Sequence, residues 1–206
     1  MPSLSFRVAT ALASFVTLAA AAPDLRAQVP VQLRCEVTDG SAAGCYYCPG
    51  FGHVVKFVGT PLVSGTINLA GYHNQYVRIQ GTWNGSAVTV NSIQVTTDSF
   101  SLSGNTSIGH RLRSNSMGNP GELALNVVAL GTAFSVPFLD LAFQLDPATS
   151  VVQGLGVVNG NGEFKSDLDI PNDPSLVGLR LTGQGAILDA AGSLLTTNVD
   201  SKVVTP

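Results

Sequence analysis

Charge is scarce in this 206-residue chain: Lys, Arg, Asp and Glu together make up only 11% of it, with 10 basic residues against 13 acidic ones. Nucleic-acid binding usually demands a basic face, and a chain this poor in Lys and Arg offers none. Helical periodicity is also missing beyond the first turns of the sequence. There is no Gly-x-Ser-x-Gly elbow to raise a nucleophilic serine, and the three histidines, His53, His73 and His110, fall in separate segments. These absences leave no catalytic residue to assign and no cofactor implied. What remains is rich in Gly, Ser, Thr and Val, the composition of short strands joined by tight turns.

The first 27 residues read as a cleaved signal peptide. Met1 to Arg7 carries one positive charge, and Val8 to Ala22 is an unbroken run of small or apolar residues. That run is shorter than the roughly 20 residues a bilayer span needs and suits the apolar core of a signal peptide. Cleavage is expected after Ala21, with Ala19 at −3, or after Ala27. No later apolar run approaches membrane length, so the mature chain is expected to be secreted or to lie in the cell envelope, without a membrane span. Of the ten basic residues, Arg7 and Arg26 leave with the leader and eight remain; of the thirteen acidic ones, Asp24 leaves and twelve remain, a net charge of −4.

Period-2 alternation dominates the rest. In Gln75–Gln80, Val77 and Ile79 take one face. In Glu163–Ile170, Phe164, Ser166, Leu168 and Ile170 oppose Glu163, Lys165, Asp167 and Asp169. Asn84-Gly85 is a hairpin signal. The returning segment changes phase between Val88/Val90 and Ile93/Val95, which places a β-bulge near Asn91-Ser92. A polar, Gly-rich stretch around Thr106 divides the chain. Residues 28–106 are expected to form a small OB-like barrel, and residues 107–206 an antiparallel β-sandwich. Strands are expected at 122–130, 134–144, 155–158, 163–170, 176–188 and 194–204.

Within the second half, the run Asp169-Ile-Pro-Asn-Asp-Pro-Ser-Leu-Val-Gly178, then Gln184-Gly-Ala-Ile-Leu-Asp189 and Leu194-Leu-Thr-Thr-Asn198, resembles a C-terminal β-sandwich module. That module recurs in uncharacterised secreted proteins of planctomycete and myxobacterium-like bacteria. The likeness covers the last 60 or so residues well and the last 90 loosely. It implies secretion and a sandwich fold, and no reaction.

Three cysteines, Cys35, Cys45 and Cys48, cluster near the mature N-terminus. In a secreted chain the expectation is a disulfide from Cys35 to Cys45 or to Cys48, worth about 2–3 kcal/mol for a loop of this length. Cys45-x-x-Cys48 also has redox spacing, but Pro49-Gly50-Phe51-Gly52 cannot open the helix that lowers a redox thiol's pKa. Cys35, Cys45, Cys48 and His53 have the types for a zinc site, which an oxidising compartment disfavours. Pro49 stands where a c-type haem motif needs His. Asn159–Glu163 with its neighbouring acids reads as a hairpin turn and a wet strand face; position 12 of a calcium loop would be Ile170. On one strand face Tyr76, Arg78 and Gln80 line up near Trp83, a candidate ligand face for carbohydrate or protein. The expected function is a secreted, non-enzymatic binding, adhesion or envelope module. The alternative is a metal-binding or hydrolytic extracellular enzyme.

Overall fold

The structure, a computed structural model, describes residues 28–41, 51–136 and 140–206. The expected leader lies outside the described residues, as do Cys45 and Cys48.

The chain is all-β. Strand β1 (Val29–Thr38) turns Val31, Leu33, Cys35 and Val37 inward, each at most 2% exposed, while Gln32, Arg34 and Glu36 face outward. It is joined by β2 (Val54–Val55), β3 (Leu62–Val63), β4 (Tyr76–Trp83) and β5 (Val88–Val95). Their order is β2-β1-β4-β5-β3, and a bridge between Val54 and Pro61 links β3 back to β2. All pairs are antiparallel except β3–β5, and a 3₁₀ turn (Leu69–Tyr72) connects β3 to β4. This connectivity is that of an OB-type barrel, nearly closed. Val77 and Ile79 are fully buried inside it, as their alternation requires.

The bulge falls where the phase change puts it. Gln80 pairs with Ser92 and Gly81 with Val90, which leaves Asn91 as the extra residue on β5. Gly81 is obligatory there, because a Cβ would strike the Thr89 carbonyl oxygen. In the β4–β5 turn the Asn84 Oδ1 accepts from the Ser86 and Ala87 amides, and Gly85 takes φ +91°.

The other strands are β6 (Phe100–Gly104), β7 (Arg111–Met117), β8 (Leu123–Ala129), β9 (Val151–Val157), β10 (Glu163–Asp169), β11 (Arg180–Leu188) and β12 (Leu194–Val203). They form antiparallel sheets of order β10-β7-β6 and β12-β11-β8-β9. β6 precedes residue 106 yet pairs with β7, so the chain changes sheet between β5 and β6.

Glycines on the inner face let the two sheets close on each other. A Cβ on Gly183 would come 2.7 Å from the Phe100 ring, and one on Gly156 2.5 Å from the Phe164 ring. The centre of the sandwich is polar. Asn126, fully buried, accepts from Ser116 Oγ at 2.6 Å and donates to Ser166 Oγ at 2.8 Å. Ser114 Oγ bonds Gln153, whose Nε2 reaches the Ser166 carbonyl at 2.9 Å. Each of these side chains thereby finds a partner in the facing sheet.

The outer face of the four-stranded sheet is covered too. Leu125, Val127, Ala129 and Val199 pack with Leu145 and with Phe57 and Val58 of the barrel half. That sheet is the middle of three layers. Burial on both faces explains why Leu123–Ala129 reads as a run without alternation.

Two expected strands take other forms. No strand forms among the described residues of 134–144, which cross to the barrel as a strap, bridging Gln32 at Leu141 and placing Ala142 in the barrel's core. Its apolar residues cover a neighbour instead of alternating along a sheet. The segment expected at 176–188 begins as a strand only at Arg180, because the Asp173 side chain caps a 3₁₀ turn, Pro174–Leu176, ahead of it. The expected strand at 155–158 begins earlier, at Val151, since Gly154 and Gly156 hide its start. No helix among the described residues is long and apolar enough to cross a membrane.

The residues that carry the sandwich resemblance have structural tasks. Asn198, 2% exposed, accepts from the Ser99 amide and hydroxyl and the Phe100 amide, and donates to the Phe100 and Val199 carbonyls. Gln184 accepts from the Gln144 amide at 3.0 Å and donates to the Thr197 carbonyl at 3.0 Å, while Gln144 Nε2 reaches the Arg34 carbonyl. Strap, barrel and sandwich are locked together at that point.

Candidate ligand groove

The four residues of the expected ligand face, Tyr76, Arg78, Gln80 and Trp83, all lie on β4. Trp83 is half-buried, with its ring against Phe134 at a centroid separation of 4.6 Å and 45° between planes. Tyr76 is half-buried at the start of β4; burial, with Asp98 and other carboxylates nearby, pushes its phenol up to about 12. Gln80 is exposed and accepts from Ser92 Oγ. Arg78 is the member of the set that opens onto a cavity.

Arg78 does so beside a residue the sequence reading did not single out. In the β1–β4 register Arg34 stands directly opposite Arg78. Both project from the outer face of the barrel toward the β11–β12 hairpin, and both are half-buried. Neither forms an ion pair with a described residue, whereas Lys56, Arg111, Arg113 and Lys165 each do. Arg78 Nη2 donates to Gln32 Oε1 at 3.3 Å, and Gln32 Nε2 donates in turn to Asp140 Oδ2 at 3.0 Å. The Arg34 guanidinium bonds no described side chain. Burial and the facing Arg78 pull its pKa down, partly offset by Glu122. A guanidinium carries five donors in a planar fork, so this one presents an unused bidentate surface.

The two arginines line the waist of a groove between barrel and sandwich, with Leu195 and Thr196 opposite. One lobe, of about 450 Å³, runs from Arg78 past Asp140 to the Gly192–Leu195 turn. The other, of about 270 Å³, runs from Arg34 past Asn119 and Glu122. The carboxylates along it are engaged locally: Asp189 accepts from the Ser193 amide at 2.7 Å, and Glu122 from the Asn119 amide at 2.7 Å. The groove therefore offers paired cationic forks at its centre and hydrogen-bonding groups on either side. That arrangement suits a ligand with one acidic group flanked by hydroxyls.

Arg34 shares Arg78's outward parity in its own strand, but nothing in the sequence sets the register that makes them face each other. Among the described residues there is no disulfide. Cys35 is a free thiol, fully buried inside the barrel, and burial pushes its pKa up. The two cysteines expected to pair with it lie outside the described residues. No imidazole bonds a serine hydroxyl or a carboxylate among the described residues; His53 and His73 instead meet each other. Compared with protein-family models, with curated proteins and with solved structures, the chain matches none.

Proposed function

We propose that this chain is an exported, non-enzymatic binding module whose groove between barrel and sandwich holds an acidic carbohydrate. The observation that carries the reading is the Arg34–Arg78 pair. Like charges directly opposite on neighbouring strands destabilise a sheet, so a half-buried pair that forms no ion pair with a described residue is poor for folding and good for an anion. The waist that both arginines line is only about 10 Å³, so an acidic oligomer would meet Arg78 in one lobe and Arg34 in the other, with Gln32, Thr196 and Asn119 along the groove for sugar hydroxyls. The signal-peptide pattern of the first 27 residues supports an extracellular or envelope setting. The resemblance of residues 169–198 to secreted planctomycete and myxobacterium-like modules supports the same setting.

The test is calorimetric titration of the mature protein with oligogalacturonate and with a neutral galactose oligomer of equal length. Binding of the acidic oligomer alone, lost in Arg34→Gln and in Arg78→Gln, is the expected result. Equal binding of both oligomers, or unchanged binding by the two variants, would remove the basis of the proposal.

A further inference from the structure

At the barrel rim, the Nδ1 atom of His53 and the Nε2 atom of His73 face each other at 2.8 Å, with ring centroids 5.0 Å apart and planes inclined at 48°. The two rings come from segments twenty residues apart, and their backbones are held separately. His53 sits just ahead of β2, and its carbonyl accepts from the Leu62 amide at 2.9 Å. His73 follows the 3₁₀ turn, its amide donating to the Ala70 carbonyl, and is bridged to Val37 of β1. Asn74, at φ +60°, donates to the Val37 carbonyl at 2.7 Å and anchors the following residue. Two imidazoles are thus presented ring nitrogen to ring nitrogen by fixed backbone.

We infer that His53 and His73 form a two-imidazole site for a divalent transition-metal ion of the zinc type, bound through His53 Nδ1 and His73 Nε2. In an N–H···N hydrogen bond one of the two facing nitrogens carries a proton and has no lone pair to give. Metal binding at both nitrogens requires that proton to move through solvent to the same ring's other nitrogen, which leaves two neutral imidazoles, a preferred ligand type for zinc. Zn–N bonds of about 2.0–2.1 Å at a tetrahedral angle set the two nitrogens about 3.3 Å apart, so the rings need to open by about 0.5 Å and each to turn by about 35° toward the ion. Among the described residues no third histidine, cysteine or carboxylate completes a cluster.

Such an ion would act as a strut. His53 leads into β2 and His73 leads into β4, and both lie beside the end of β1, where Val37 pairs with Val55 and bridges His73. A metal between the rings would tie these two entry points together at that end of the barrel. The site shares no residue with the arginine groove, and it stands or falls separately from the carbohydrate reading.

The experiment uses the mature, chelator-treated protein with zinc chloride as the probe. Bound zinc is measured by elemental analysis after desalting, and the ring nitrogens are followed by long-range proton–nitrogen NMR. The expected result is one zinc per chain, metal-type shifts at His53 Nδ1 and His73 Nε2, and a raised thermal midpoint. His53→Gln and His73→Gln should each lose the zinc and the midpoint shift, and His110→Gln should keep both. The NMR arm reads the wild type, so it decides even if a variant folds poorly. Zinc bound with neither ring moving, or zinc kept by the double variant, would place the metal elsewhere and overturn the assignment. If no zinc is retained, the pair is a hydrogen bond only and the inference fails.

Discussion

Replacing Arg34 by Gln should make the protein slightly more stable while ending its anion binding. Arg34 and Arg78 are directly opposite in the antiparallel pair, where like charges cost about 0.2–1 kcal/mol. The Arg34 guanidinium makes no hydrogen bond to a described side chain that the substitution would break. Two small terms oppose the gain: part of one methylene's burial, at about 0.8 kcal/mol for a fully buried group, and the attraction of Glu122. The net expectation is a gain of at most about 0.5 kcal/mol at low salt, or at most about 1–2 °C in thermal midpoint for a domain of this size. Screening should erase it, because the Debye length falls from about 30 Å at 0.01 M to about 3 Å at 1 M. Urea unfolding of both proteins at those two ionic strengths is the assay. A salt-independent loss of more than about 1 kcal/mol would show that Arg34 is a packing strut, and the groove would lose its defining feature.

Asn198→Ala should cost about 3 kcal/mol in urea unfolding, since it strands the buried Ser99 amide and frees the Phe100 carbonyl, while the Phe100 amide keeps Asp98 Oδ1 at 3.1 Å. A loss below about 1 kcal/mol would mean that water replaces the asparagine. Gly183→Ala should cost about 1–3 kcal/mol by forcing a methyl into the Phe100 ring, whereas Gly65→Ala, with open space around it, should stay within about 0.5 kcal/mol of the parent. In acid, the Asp167 carboxyl is held below its ordinary range by the hydrogen bond and charge of Arg113. Its stabilisation is therefore full above the unfolded value of about 3.9 and is lost as pH falls through the lower folded value. Asp167→Asn should flatten that part of a plot of unfolding midpoint against pH, and an unchanged plot would exclude the pair from acid stability. Cys35 should resist alkylation in the native protein and react once unfolded, as read by mass spectrometry; a Cys35 disulfide to Cys45 or Cys48 would contradict its free, buried state.

Period-2 alternation was enough to place β4 and β10, because each has one wet face and one dry one. The bulge at Asn91 was legible for the same reason: an inserted residue must flip the side-chain parity. The small OB-like barrel was expected from strand count and the bulge, while its strand order came only from the structure. Residues 134–144 misled because a strap that covers a barrel is as apolar as a strand. β8 lost its alternation because the third layer buries its second face. The glycines at 154, 156, 183 and 185 resemble turn residues in composition, but their role is to let two sheets approach, which only the stacked sheets reveal. The arginine pair and the histidine pair were beyond the sequence for one physical reason. Strand parity is a local property that each residue carries, whereas pairing register and loop return depend on which distant segments meet. Arg34 lies 44 residues before Arg78 and His53 lies 20 before His73, and only the closed barrel sets each beside its partner.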